Sequence, residues 1–117
     1  MEPKKPYDLE ERTFEFARDV RIFVKTLSKT IANNEDIKQL IRSSGSVGAN
    51  YIEANEKLSK KDFLLRMKIS RKEAKETTYW LRLIESTNDV NNSTIDNLIK
   101  ESIELKKILS SIIEKSQ

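Results

Sequence analysis

The 117-residue sequence predicts an all-α protein, an antiparallel up-and-down four-helix bundle, and three observations carry that expectation. Both prolines, Pro3 and Pro6, fall within the first six residues, and the only glycines are Gly45 and Gly48, so turn punctuation is nearly absent after Pro6. Apolar residues recur at steps of three and four through four separate segments, the period of a helix with one buried face. Charged residues make up 35% and apolar ones 37%, a balance that suits long helices with one apolar stripe and a charged outer surface. The length allows one domain. Residues 1–8 read as a flexible tail and residues 9–117 as the bundle.

Asp8 can cap helix 1, with Glu10 and Glu11 well placed at the positive end of its macrodipole. Its stripe is Thr13, Phe16, Ala17, Val20, Phe23, Val24, Leu27 and Ile31, and Arg18, Arg21, Lys25 and Lys29 form the solvated side. Asn33-Asn34 then reads as a stop and restart, so helix 2 is expected over about 35–56.

Helix 2 holds the least ordinary stretch, Arg42 to Ala54. Ile37, Leu40, Ser44, Val47, Tyr51 and Ala54 share one line and Ile41, Gly45, Gly48 and Ile52 the next, together a wide buried face. Each glycine costs a helix interior about 1 kcal/mol relative to alanine. Close approach of another backbone at those positions accounts for the cost, and helix 3, with Ser70 and Ala74 at its centre, is the expected neighbour unless Gly48 faces a second subunit. Ser46 can return its hydroxyl to the carbonyl of residue 42. A half-buried Asn50 can bond across to a neighbouring helix and set its register. The functional alternative for this region is a polar site built from Arg42, Asn50 and Glu53.

Ser59-Lys60-Lys61-Asp62 is a capping box that opens helix 3, and Phe63, Met67, Ser70, Ala74, Thr77, Leu81 and Ile84 are its core line. A second apolar edge, Ile69, Trp80 and Leu83, runs beside it, mixed with Arg66, Glu73 and Glu76. One bundle helix needs only one buried stripe, so this edge is the candidate oligomer interface. Residues 88–92 close helix 3. Ser93-Thr94-Ile95-Asp96 repeats the capping pattern, and Ile95, Leu98, Ile99, Ser102, Leu105, Ile108, Leu109 and Ile112 carry helix 4.

Chemistry is bounded from the start. With no cysteine and no histidine, disulfides, thiolate or imidazole metal sites, thiol nucleophiles and imidazole acid-base catalysis are excluded. No paired carboxylates or phosphate-binding loop declare an active site, so a non-enzymatic protein without cofactor or metal is expected. The first residues lack the apolar core of a signal peptide and no run approaches a membrane span, which points to the cytoplasm.

Charge is the one functional signal with a mechanism behind it. Between Lys57 and Lys75 eight cations face two acids, whereas the whole chain has an excess of only three. Lys61, Leu65, Lys68, Lys72, Lys75, Tyr79 and Arg82 form one ladder on helix 3, roughly opposite its core line. Cations one turn apart with an aromatic among them can follow phosphates and offer a stacking surface, so Lys61, Lys68, Lys72, Lys75 and Arg82 are the candidate nucleic-acid contacts. The plain alternative is a lysine-rich solvated face, as expected of a chain with a pI near 9.1.

Arg42, Ser46, Val47, Asn50 and Glu53, followed by Ser59, Asp62-Phe63, Ile69, Glu73 and Glu76, resemble the four-helix bundle proteins encoded in intervening sequences of bacterial 23S rRNA genes, often labelled ribosomal proteins. The resemblance runs from about Leu9 to Ile113 and is most specific at Arg42-x-x-x-Ser46-Val47-x-x-Asn50-x-x-Glu53 and at Asp62-Phe63. Many members have proline at the position of Gly48 and glycine at that of Ala54. The family is also similar to accessory proteins of diversity-generating retroelements, pentameric bundles that bind nucleic acid and a reverse transcriptase. The resemblance implies a homo-oligomer, a pentamer, with RNA or DNA and a reverse transcriptase as partners, and it carries over no catalytic residue. Two functions follow from different classes: a nucleic-acid-binding oligomer, or a scaffold whose assembly binds a partner protein without nucleic acid. A salt-dependent shift with RNA or DNA separates them.

Overall fold

The structure, a computed structural model, describes residues 8–56, 59–90 and 93–117; the tail expected over 1–8 lies outside the described residues except for Asp8, as does Lys57 of the basic segment. The described residues form four helices: α1 (Leu9–Val24), α2 (Ile31–Ala54), α3 (Lys60–Thr87) and α4 (Ser93–Ser116). No strand occurs among the described residues, and none of these helices is long and apolar enough to cross a membrane.

Local chemistry explains most boundaries. The Asp8 carboxylate accepts from the Glu11 amide, and Ser59 Oγ accepts from the Asp62 amide at 3.0 Å, each satisfying a donor that a helix start leaves free. The first loop departs from expectation. α1 ends at Val24, where the amides of Lys25 and Thr26 donate three residues back and tighten the last turn. Thr30 then caps α2 by accepting from the Asn33 amide. Ile31 therefore opens α2 and is 87% exposed instead of closing the α1 stripe, and Asn33-Asn34 sits in the first turn of α2 instead of breaking the chain. Asn33 is buried: its amide nitrogen donates to the Asn88 side chain and to the Ser28 carbonyl, and Asn88 donates back at 2.9 Å. This exchange ties the α1–α2 loop to the end of α3. Ser93 is already helical, so it is not the cap of α4, and the residue before it lies outside the described residues.

The core joins all four apolar lines, with Val20, Leu40, Val47, Met67, Ala74, Leu81, Ile84, Ile95, Leu105 and Leu109 fully buried. Small residues bring α2 and α3 together. Ser70 Oγ donates to the Val47 carbonyl at 2.7 Å, and the Thr77 and Ser43 hydroxyls are 2.9 Å apart. The glycines do not serve that contact. A Cβ on Gly48 would stand 2.8 Å from Thr13 Oγ1, and one on Gly45 3.2 Å from Arg21 Nη2, so both face α1 of the same chain. Ile52, placed on the buried face by its spacing, is exposed because that line rotates past α1 into solvent.

Candidate nucleic-acid interface and neighbouring surfaces

Burial of Met67, Ser70, Ala74, Thr77, Leu81 and Ile84 fixes the rotation of α3 and turns its opposite side outward. Lys61, Lys68, Lys72, Lys75 and Arg82 are all exposed, with Leu65 and Tyr79 more than half exposed between them. The row spans about 32 Å at 1.5 Å per residue. No ion pair among the described residues involves any of its cations. Tyr79 lies edge-on to Trp80, with centroids 5.1 Å apart, so its ring is braced at the surface. The row ends near Glu85, whose carboxyl is pushed above its ordinary value by a hydrogen bond with Asp96 of α4.

The polar residues of α2 do not converge on one site. Arg42 pairs with Glu73 and Glu76 of α3, both at 3.3 Å, and its guanidinium is pushed further up chiefly by the Glu73 hydrogen bond. Two turns on, Asn50 donates to the Ser46 carbonyl and hydroxyl and accepts from Arg66 at 3.2 Å. Ser46 thus receives a hydrogen bond from Asn50, and Asn50 bridges α2 to α3. Glu53 lines a small hollow with Asp62 and Phe63, apart from Arg42. These side chains form a seam along α2 and α3. Within it the Glu73 side chain is 9% exposed, and its Oε1 is buried without a hydrogen-bond partner.

Ile69, Trp80 and Leu83 are half-buried, not an exposed edge, because α3 is flanked on both sides by α2 and α4; Trp80 packs against the core. Among the described residues the exposed large apolar side chains are Phe14, Ile22, Ile31, Ile52, Leu65, Tyr79 and Ile103.

No core line in the sequence marks the seam between α1 and α4. Arg12 grips Glu101 with two nitrogens, at 2.6 and 2.8 Å, and its guanidinium is pushed up chiefly by that hydrogen bond. Beyond this bridge the two helices part around a groove of about 800 Å³. Its signal was present as Glu15 and Asp19, an acidic pair four residues apart, with Ile22 off the core line. Among the described residues no three carboxylates gather into a metal site.

Comparison with known proteins agrees with the fold. The family profile described as 23S rRNA-intervening sequence protein matches residues 6–111. A crystal structure of a protein with unknown function from the S23 ribosomal protein family of Bacteroides thetaiotaomicron VPI-5482 is 33% identical. It superposes with a TM-score of 0.81 over 91% of this chain and 95% of that one. No curated protein matches the chain.

Proposed function

We propose that this chain, which belongs to the 23S rRNA-intervening sequence protein family, is a non-catalytic bundle that assembles with itself and binds RNA or DNA through the exposed row on α3. The observation that carries the reading is the row itself: five cations at helical spacing, none paired with an acid among the described residues, interrupted by one braced aromatic ring. Phosphate contacts of this kind position a nucleic acid without reading its bases, so the expected preference is for charge and shape. One row reaches about four phosphates, and several copies in a ring, five by family resemblance, would add avidity where their rows face one strand. The cytoplasm is the setting that goes with this reading.

The order of contacts supports an antiparallel up-and-down reading of the bundle. Late α2 meets early α3, as Asn50 meets Arg66, and their middles meet, as Arg42 meets Glu73, while Thr13 meets Gly48 and Thr78 meets Ser102. In that arrangement the α3 row looks away from α1, and the two surfaces are free to act separately.

The experiment is a fluorescence-anisotropy titration with structured RNA and duplex DNA at two salt concentrations, comparing the wild type with Lys68, Lys72 and Lys75 all changed to Glu. Wild-type binding should fall steeply with salt, with a logarithmic slope of about 0.9 per phosphate contact on duplex, and the variant should lose most of it. Equal binding by both, or none by either at low salt, leaves the scaffold reading, in which the assembly binds a partner protein such as a reverse transcriptase.

A further inference from the structure

We propose that the groove between α1 and α4 is a docking site for a cationic amphipathic helix of a partner protein. The groove is built in two layers. Arg12, Glu15, Asp19 and Ile22 follow one three-four line along α1 and, with Thr26 in the turn that ends it, form one wall, while Thr94, Asn97 and Glu101 line the other on α4. Phe16, Phe23 and Leu98, each at most 6% exposed, make the floor. The described lining carries four carboxylates against the single guanidinium of Arg12: Arg12 holds Glu101, Arg18 beside the groove pairs with Asp19 at 3.1 Å, and Asp89 stands at the far end, although the whole chain is positively charged.

The other seams are closed by short contacts: Gly48 on Thr13, Ser70 on Val47 and Thr78 on Ser102. At α1–α4 the Arg12–Glu101 bridge joins the walls at one end, and the groove runs on from it. From Arg12 to Thr26 the trough is about 21 Å long, the length of a fourteen-residue helix. An apolar floor between polar walls is the arrangement that receives the apolar face of an amphipathic helix, and acidic walls select lysine or arginine on its flanks. Nucleic acid is repelled by the same walls.

The α3 row of a second copy is the competing occupant, and its spacing fits poorly. Its apolar residues, Leu65 and Tyr79, stand about 21 Å apart, whereas Phe16 and Phe23 stand about 10 Å apart, so only one could reach the floor at a time. A helix with apolar residues at i, i+3, i+4 and i+7 meets both rings at once.

The test uses the full chain and a fluorescent designed peptide of about sixteen residues. The peptide carries leucines at that spacing and lysines on both flanks, and a scrambled peptide of the same composition is the control. Ile22, Asp19 and Asp89 are exposed, so Ile22→Lys and the double change Asp19→Lys with Asp89→Lys leave the core intact. The wild type should bind the patterned peptide with a gain in helical circular dichroism and a loss of affinity with salt. Both variants should weaken it roughly tenfold or more while RNA anisotropy is retained, which separates this site from the α3 row. No wild-type binding, equal binding of the scrambled peptide, or equal binding by the variants overturns the proposal. A fall in wild-type oligomer mass caused by Ile22→Lys in sedimentation also overturns it, because the occupant is then a second copy.

Discussion

Gly48 of α2 and Thr13 of α1 meet so closely that a Cβ on the glycine would lie 2.8 Å from the threonine hydroxyl and 3.1 Å from its Cβ. Thr13 cannot swing away, since it is buried and its hydroxyl donates to the Leu9 carbonyl at 2.6 Å. The contact sets how near the two helices pack.

Gly48→Ala is therefore expected to destabilise the protein: overpacking of about 1–3 kcal/mol outweighs the gain of up to about 1 kcal/mol in helix propensity. Gly45→Ala should be neutral or stabilising, because the atom it meets is the far end of the Arg21 side chain, 3.2 Å away. Urea denaturation of the two variants decides the matter. A Gly48→Ala protein as stable as the wild type would refute the close contact, and Thr13→Ala should recover part of the loss if the pair is coupled.

The Arg42–Glu73 pair makes a different forecast. Removing the guanidinium strands a carboxylate that is 9% exposed and already has one unpartnered oxygen. Loss of one partner from a fully buried pair costs about 3–5 kcal/mol, but Arg42 is more than half exposed and water screens the site, so Arg42→Ala should cost about 1–2 kcal/mol. Glu73→Gln in the Arg42→Ala background should restore much of that, since no charge is then left in the seam. If the double variant is less stable than Arg42→Ala alone, the stranded charge is not the cause.

Glu85 and Asp96 predict the direction of a pH effect. The Glu85 carboxyl is raised, first by its hydrogen bond with Asp96, then by burial and by the charge of Asp96, against a smaller opposing pull from Arg82. The folded state thus holds this proton more tightly than the unfolded chain. The stabilisation is complete below the ordinary glutamate value and is lost as pH rises through the folded one. Glu85→Gln should accordingly raise the melting temperature at neutral pH, where the two carboxylates repel, and the advantage should shrink as the pH is lowered through the carboxylate range. Melting curves that stay offset by the same amount at every pH would contradict the coupling.

Much of the candidate interface was legible in the sequence because it depends only on a helix and its rotation. Once Met67, Ala74, Leu81 and Ile84 are buried, the residues half a turn away face solvent, so Lys61, Lys68, Lys72, Lys75 and Arg82 are exposed whatever surrounds α3. The half-burial of Ile69, Trp80 and Leu83 was not legible for a related reason. Periodicity ranks residues by distance from the core line, but how far neighbouring helices wrap around α3 decides whether the intermediate positions are covered.

What the sequence determined by itself is therefore what contacts within a few residues can specify. It determined the number of helices, the α3 start at Ser59, the four core lines, and the need for a close approach at Gly48. Tertiary structure alone decided which helix makes that approach, that Asn33 lies inside the first turn of α2 and exchanges hydrogen bonds with Asn88, that Arg42 takes Glu73 and Glu76 instead of joining Asn50 and Glu53, and that α1 and α4 stand apart beyond Arg12 and Glu101. Each of these joins residues more than thirty positions apart, so it follows from the relative rotation and tilt of packed helices, which no local period encodes.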